Sequence, residues 1–158
     1  MFRKMRRVKR EICMEEIKKL LKYNKRAVFS VNGDDGYPYA IPINFYYDEK
    51  ENRIYFHSAK KGHKIDAIKN NDKVCFTTWN EGEYVEGDWA PYVSSCVAFG
   101  RAKLINDAEM TEQIIRTFAL KYYPTKEEVE EEIKRDIQGV QLVAIDIEYL
   151  TGKKIHEK

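Results

Sequence analysis

Residues 37–47 read YPYAIPINFYY, and the alternation of large and small side chains in this segment predicts a β-strand. The odd positions are large and mostly aromatic, whereas the even positions from 38 to 44 are Pro, Ala, Pro and Asn. Because successive side chains of a strand point to opposite faces, one face is bulky and the other is nearly flat. Pro38 and Pro42 lack N–H donors on the same side, so we expect a sheet edge or a bulge there.

The segments on either side predict more strands joined by short turns. Residues 26–31 alternate in the same way, and the turn sequence NGDDG at 32–36 predicts a hairpin with the strand that follows. Four further strands are expected at residues 53–58, 73–79, 92–105 and 139–149. Gly100 marks a bend or bulge in the longest of them. The chain is therefore predicted to be mainly β, a six-stranded antiparallel split or closed barrel.

Helices are expected to flank this barrel. They are predicted at residues 11–23, at residues 62–70, around Met110, Ile114 and Phe118, and after Thr125, whose capping box includes Glu128. A basic arm at residues 1–10 and a short charged tail at 151–158 complete the picture. We expect one domain over residues 1–158, because this length suits a single core.

The composition excludes several classes of protein. Hydrophobic residues make up 43% of the 158 residues and the net charge is +2, which argues against a disordered chain and a dedicated nucleic-acid binder. No run of about 18 apolar residues occurs, so no membrane-spanning helix is expected. The basic start lacks an apolar stretch behind it, so it does not resemble a secretory signal and a cytoplasmic protein is expected. Cys13, Cys75 and Cys96 have neither disulfide-scaffold nor zinc-site spacing; Cys75 and Cys96 are expected to be buried in a reducing compartment. No metal motif is present.

The segment YFHSAKKGHK at residues 55–64 combines a strand end, two lysines and a glycine that opens a helix. The first N–H groups of a helix lack internal partners, so together with Ser58 and the lysines they predict a phosphate site. The alternative is that Ser58 only caps the helix and the lysines are solvated. His57 shares its strand face with Arg53 and Tyr55 and is expected near a ligand, although a lone histidine is also a common structural residue.

The flat face of residues 38–44 is the second half of the predicted site. A planar ring has room to stack on it while the backbone binds the ring edge. The alternative is a proline-marked edge strand packed in a dimer. A phosphate site beside a flat face fits a mononucleotide cofactor.

Several motifs together resemble a known superfamily. They are DGYPYAIPIN at 35–44, IYFHSA at 54–59, KGHK at 61–64 and NDKVCF at 71–76, with MRRVKREI at 5–12, GRA at 100–102 and TGK at 151–153. The chain resembles the pyridoxamine 5′-phosphate oxidase-like superfamily of FMN-binding split barrels. Within it, the chain is similar to the 5-nitroimidazole resistance (nitroimidazole reductase-like) branch.

The resemblance implies a homodimer of split barrels that binds FMN in two clefts at the interface. It implies that the phosphate binds at Ser58, Lys61 and Lys64, that the ring lies along Pro42, Ile43 and Asn44 with Phe56 and His57 beside it, and that Trp79, Ser94 and Ser95 of the partner complete the cleft. Oxidases of the type that gives the superfamily its name end in an Arg-x-His motif. Here the corresponding residues are Lys154-Ile155-His156, which puts vitamin B6 oxidation in doubt.

The function expected from the resemblance is that of an FMN-dependent oxidoreductase. Electrons would pass from a reduced nicotinamide to a small acceptor such as a nitro-aromatic, with His57 as a proton donor. One alternative is a protein of the same fold that binds flavin, haem or a related cofactor without turnover. Another is nucleic-acid binding through residues 3–10, which we rank last.

Overall fold

The computed structural model describes residues 1–158 and contains one antiparallel sheet of seven strands. The strands are β1 (Arg26–Asn32), β2 (Pro38–Asn44), β3 (Tyr46–Asp48), β4 (Arg53–Ala59), β5 (Lys73–Trp79), β6 (Tyr92–Ile105) and β7 (Val140–His156). Their order across the sheet is β2-β1-β5-β6-β7-β4-β3. The hairpin expected at residues 32–36 is present, because β1 and β2 pair antiparallel around it.

Four α-helices flank the sheet: α1 (Met14–Tyr23), α2 (His63–Asn70), α3 (Ala108–Ala119) and α4 (Lys126–Asp136). The side chain of Asp107 caps α3 by accepting a hydrogen bond from the Met110 N–H, and Thr125 caps α4 as its capping box predicts. The first helix starts three residues later than expected, after a short 3₁₀ turn at Val8–Arg10. No helix of the structure has both the length and the apolar character needed to cross a membrane.

The predicted count of six strands is wrong by one, because the long strand at residues 37–47 divides at Phe45. Its first part, β2, pairs only with β1, and its second part, β3, pairs only with β4. These two parts are the two edges of the sheet, so a single residue joins one edge to the other. The sheet must therefore curl into a split barrel, which confirms the predicted fold class. The position of β2 at an edge also confirms the expectation drawn from its two prolines.

The end predicted for the last strand, at residue 149, is wrong. β7 continues to His156 and pairs with the first half of β6, so most of the expected charged tail is strand. The cause is a bulge: the register shifts opposite Gly100, and Glu148 becomes an extra residue. The residues of β7 that face the barrel interior have odd numbers before the bulge, as at Ile145, and even numbers after it, as at Gly152. The bulge predicted at Gly100 is therefore confirmed, and it hides the continuity of β7 from a search for simple alternation.

Buried residues form two separate clusters. The barrel core contains 22 buried residues, among them Phe29 and Phe56, whose ring centroids are 4.6 Å apart. The helix layer is a cluster of 7 buried residues between β4, β7, α3 and α4: Tyr55, Ile115, Ala119, Val129, Ile133, Leu142 and Ala144. Adjacent residues of β4 thus belong to different clusters: Phe56 to the barrel core and Tyr55 to the helix layer. Cys96 is buried in the barrel as expected, whereas Cys75 is only half-buried, since it lies on the outer face of the sheet.

Candidate functional site

The gap in the barrel lies between β2 and β4. In the pairing of β3 with β4, Tyr46 is opposite Tyr55, and the same register continued by two residues would set Asn44 opposite His57. Instead, β2 turns away and pairs with β1, where Asn44 is opposite Arg26. We call the resulting gap the split cleft; it has residues 42–44 on one side and residues 57–58 on the other. The strand with small side chains and the candidate phosphate site, both predicted from the sequence, therefore lie on the two sides of the split cleft.

One end of the split cleft is fixed at Phe45. The Phe45 N–H donates a hydrogen bond of 2.9 Å to the hydroxyl of Tyr122, which follows α3. The carbonyl oxygens of Lys25 and Phe45 lie 2.6 Å and 2.8 Å from the same hydroxyl, which has one proton to donate. Lys121 donates to the Phe45 carbonyl at 3.2 Å, and burial, helped by the charge of Lys25, lowers its pKa to about 8.

The start of α2 closes the other end. His63, the first residue of α2, stacks on Tyr39 of β2 with ring centroids 4.2 Å apart, and its Nε2 lies 3.5 Å from a carboxylate oxygen of Asp34. Gly62 precedes the helix with a φ of 132°, a backbone conformation that residues with a Cβ atom rarely adopt. No side chain caps α2, and the N–H groups of His63 and Lys64 make no hydrogen bond. These free donors attract an anion.

The lysines of this turn differ in their surroundings. Lys61 is exposed, whereas Lys64 is half-buried with its Nζ 5.6 Å from the ring centroid of Phe56. Burial lowers the pKa of Lys64, and no carboxylate acts in the opposite direction. A half-buried ammonium group without an acidic partner is stabilised by a bound anion. Ser58 is the second-to-last residue of β4 and Lys64 is the second residue of α2, so the predicted phosphate-site residues Ser58, Lys61 and Lys64 lie within seven residues around one β4–α2 connection.

A cavity of about 330 Å³ opens from the split cleft toward the helix layer. Asn44 and His57 both line it, which joins the two sides of the cleft in one space. The His57 ring meets Phe118 edge-on, with centroids 5.3 Å apart. Burial, and then the charge of Lys64, lower the pKa of His57, so its imidazole is neutral at pH 7. The other lining residues are Ile115, Phe118, Ala119, Tyr122, Tyr123, Glu132, Ile133, Asp136, Ile137 and Val140.

Of the residues predicted to lie along the ring, Pro42 and Asn44 have exposed side chains. The side chain of Ile43 points into the barrel core at 8% exposure, so only its backbone is available to a ligand in the cleft. Phe56 is fully buried and supports Lys64 from inside the barrel. The small side chains of β2 are thus exposed at the cleft, whereas the Phe56 ring lies inside the barrel, behind the cleft.

The residues predicted to act from a partner subunit lie away from the split cleft of their own chain. Trp79 and Ser95 pair with each other across β5 and β6 and lie on the outer face of the sheet. The side chain of Ser94 faces inward, and the residue is 6% exposed. Its backbone N–H donates a hydrogen bond to the Asn80 side chain. Outward-facing Trp79 and Ser95 are available to a second subunit, and the inward-facing side chain of Ser94 is not.

No sequence pattern indicated the wall that α3 and α4 form beside His57. The repeat of Phe118 with its neighbours predicted a buried helix face, but nothing local identifies the strand which that face covers. His156, expected in a tail, lies in β7, where its ring stacks on Tyr92 and its Nε2 lies 2.8 Å from a carboxylate oxygen of Asp88. No group of three or more His, Cys, Asp or Glu side chains is arranged to hold a metal ion.

Solved structures share this architecture. A candidate 5-nitroimidazole antibiotic resistance protein from Bacteroides thetaiotaomicron superposes with a TM-score of 0.77 at 19% identity, over 92% of this chain and 87% of that one. The flavocytochrome Anf3 from Azotobacter vinelandii gives 0.74 at 19% identity, over 95% of this chain and 71% of that one. An FAD binding protein from Mycobacterium smegmatis gives 0.61 at 19% identity, over 92% and 98%. At these identities the likeness shows a shared fold.

The sequence itself matches a family model. No curated protein matches the chain at a significant level. The family model described as pyridoxamine 5′-phosphate oxidase matches residues 14–154, which include all four α-helices and all seven strands except the last two residues of β7. The chain therefore belongs to the pyridoxamine 5′-phosphate oxidase family.

Proposed function

We propose that this protein binds FMN in the split cleft and passes electrons from a reduced nicotinamide to a small acceptor. The observation that carries the proposal is the departure of β2 from β4, which leaves a flat strand facing His57 and Ser58 across one gap. The solved structures of similar fold include a flavocytochrome and an FAD binding protein. They support a flavin as the ligand class. The cleft has one turn suited to bind a phosphate, at the start of α2, and FMN carries a single phosphate, which supports FMN.

The β4–α2 connection fits a phosphate monoester. Lys64 is half-buried without a carboxylate partner, and the first N–H groups of α2 are free. Ser58 adds a hydroxyl, and Lys61 adds an exposed positive charge on the same connection. Such charge-assisted hydrogen bonds are shorter and stronger than neutral ones. This connection would hold the phosphate and so fix the depth of the cofactor in the cleft.

The opposite side of the cleft fits a planar ring. Pro42 and Asn44 present a low surface, and the Asn44 amide has both a donor and an acceptor for the ring edge. FMN, when bound, supplies the transfer of a hydride or of single electrons between two substrates. The neutral imidazole of His57 lies where an acceptor would meet the ring; it donates a hydrogen bond to that acceptor and exchanges a proton with it.

Flavin binding is tested by titrating FMN into the purified apoprotein and recording visible absorbance and flavin fluorescence. We expect stoichiometric uptake by the wild type. The double variant Ser58→Ala with Lys61→Ala removes two phosphate contacts, each of about 1.5–3 kcal/mol, so its FMN affinity falls at least about tenfold. The matched control is Thr117→Ala with Lys19→Ala, two exposed positions on α3 and α1 outside the cleft. Equal affinities in both variants would place the phosphate elsewhere.

Turnover separates an oxidoreductase from a protein that only binds the cofactor. In anaerobic stopped-flow experiments, we expect NADH or NADPH to bleach the bound flavin and a nitro-aromatic acceptor to restore its absorbance. Bound flavin that neither nicotinamide reduces would support the non-catalytic alternative.

We further propose that the active form is a homodimer that pairs through the outer face of β2, β1, β5 and β6. The register aligns two rows of uncharged side chains there, and none of these residues is fully buried. Trp79 and Ser95 border the same face. An uncharged and partly apolar face is typical of a subunit interface. At one end of this face, Phe2 of the N-terminal arm stacks on Phe99 with ring centroids 5.6 Å apart. The two rows are Pro42, Val28, Thr77 and Val97, and Ala40, Ser30, Cys75 and Phe99.

The dimer is tested by sedimentation equilibrium. A carboxylate in the middle of the outer face, as in Val97→Glu, is expected to convert the dimer into monomers, because an unpaired charge buried at an interface is strongly unfavourable. Thr117→Glu, on the exposed side of α3, is the control and should remain dimeric. A dimer that tolerates Val97→Glu would assign the interface to another face.

A further inference from the structure

The cavity beside His57 differs in charge from the β4–α2 connection at the other end of the split cleft. No Lys or Arg lines the cavity, and its only acidic residues are Glu132 and Asp136. We propose that this cavity takes a planar second substrate that carries a protonated amine and that it rejects molecules with a carboxylate or phosphate at that position. This inference rests on the proposed function, because it concerns the molecule that would meet the cofactor ring.

The walls of the cavity select for a small apolar body. Ile115, Phe118 and Ile133 supply aliphatic and aromatic surface, and the volume of about 330 Å³ is at the small end of the range for ligand pockets. The edge-on contact of His57 with Phe118 leaves the imidazole as the polar group on the β4 side. A single aromatic ring fits these walls, and its polar substituents are limited to the two ends of the cavity.

The end formed by α4 is negative. Arg135 contacts both rim carboxylates, at 2.6 Å from Glu132 and 3.1 Å from Asp136, so one guanidinium is shared between two acids and a net negative charge remains. The whole helix Lys126–Asp136 contains six acidic and three basic residues. Asp136 also ends the helix, where the backbone dipole disfavours an acid. This placement reduces helix stability and strengthens the negative potential at the cavity.

The opposite end of the cavity has one positive charge near it, that of Lys64, which does not line the cavity but is close enough to lower the pKa of His57. His57 is the nearest titratable group on β4, and it is neutral at pH 7 because burial and Lys64 lower its pKa. An ammonium group on the substrate therefore finds two carboxylates at the α4 end, whereas a phosphate or carboxylate there finds no cation except one already shared by two acids.

The test compares three ligands of equal size and different charge: benzylamine, benzyl alcohol and benzoate. Their affinities are measured by NMR titration of the His57 imidazole signals, in apoprotein and in protein saturated with FMN. We expect benzylamine to bind at least tenfold more tightly than benzoate, with benzyl alcohol between them and the preference falling as salt rises. In Glu132→Gln with Asp136→Asn, the ratio of benzylamine to benzoate affinity is expected to fall at least threefold.

The matched control is Glu127→Gln with Glu131→Gln, which removes the same charge from exposed positions of α4 that do not line the cavity. Circular dichroism of both variants verifies that they are folded. Benzoate binding as tight as benzylamine binding, or an equal loss of preference in both variants, would overturn the inference. Because the apoprotein titration needs no flavin, failure of FMN to bind and failure of the charge preference are separate results.

Discussion

The barrel core and the helix layer are built from the two faces of the same strands, but they are filled to different extents. The barrel core has 22 buried residues and includes the aromatic pairs Phe29–Phe56 and Phe45–Phe76. The helix layer has 7 buried residues and leaves a cavity of about 330 Å³ against His57. The comparison indicates that the stability of the protein depends mainly on the inside of the barrel. The proposed ligand site uses the face that is less completely packed.

The largest expected effect tests this division directly. Phe29→Ala, inside the barrel, is expected to lower the free energy of unfolding by about 3–5 kcal/mol, because it leaves a cavity among closely packed rings. Ile133→Ala, in the helix layer, is expected to lower it by only about 2 kcal/mol, since this side chain already borders open space. Urea unfolding of both variants measures the difference. Equal losses would mean that the two clusters contribute alike to stability.

An intermediate effect is expected at the junction of the two regions. Tyr122→Phe removes the hydroxyl that accepts from the Phe45 N–H and contacts the Lys25 carbonyl. An unsatisfied part-buried N–H costs about 1–3 kcal/mol, so the free energy of unfolding should fall by that amount. Tyr123→Phe, at a more exposed neighbour, is the control in the same urea assay. A loss limited to Tyr122→Phe sharpens the comparison, because it shows that α3 also secures the barrel edge.

The smallest effect concerns the charge of the site. Burial and Lys64 lower the pKa of His57, so the unfolded chain binds this proton more readily than the folded protein does. The contribution of His57 to stability is therefore present above its unfolded pKa of about 6.5 and falls as the pH drops toward its folded pKa. Lys64→Gln should raise the pKa of His57, as measured by NMR titration, whereas Lys69→Gln at the far end of α2 should leave it unchanged. If the pKa of His57 is unchanged in Lys64→Gln, the charge of Lys64 does not act on this imidazole.

Local patterns were sufficient for much of the barrel. Residues 92–105 and 73–79 were predicted with the bounds that β6 and β5 have, because polar or turn-forming residues flank both segments: Asp72 and Asn80 for β5, and Pro91 and Asn106 for β6. The prolines of β2 identified an edge strand, and the HSAKKGHK turn identified the start of α2 with its free N–H groups.

The parts that were missed depend on contacts between distant residues. The extension of β7 to His156 is stabilised by pairing with the start of β6, more than fifty residues earlier, and the bulge at Glu148 changes the phase of the alternation. The wall beside His57 depends on how α3 and α4 pack on β4, which no local sequence signal specifies.

The single-residue link at Phe45 has a consequence for how the cleft can vary. The distance between the two sheet edges is set there by covalent geometry and by the Tyr122 hydrogen bond, so side-chain replacement alone cannot widen that end. An inserted residue would reverse the facing of Tyr47 and expose a buried ring. If the proposed ligand site is correct, adaptation to longer or shorter ligands is expected at the other end of the cleft, in the loop at residues 60–62, which is exposed.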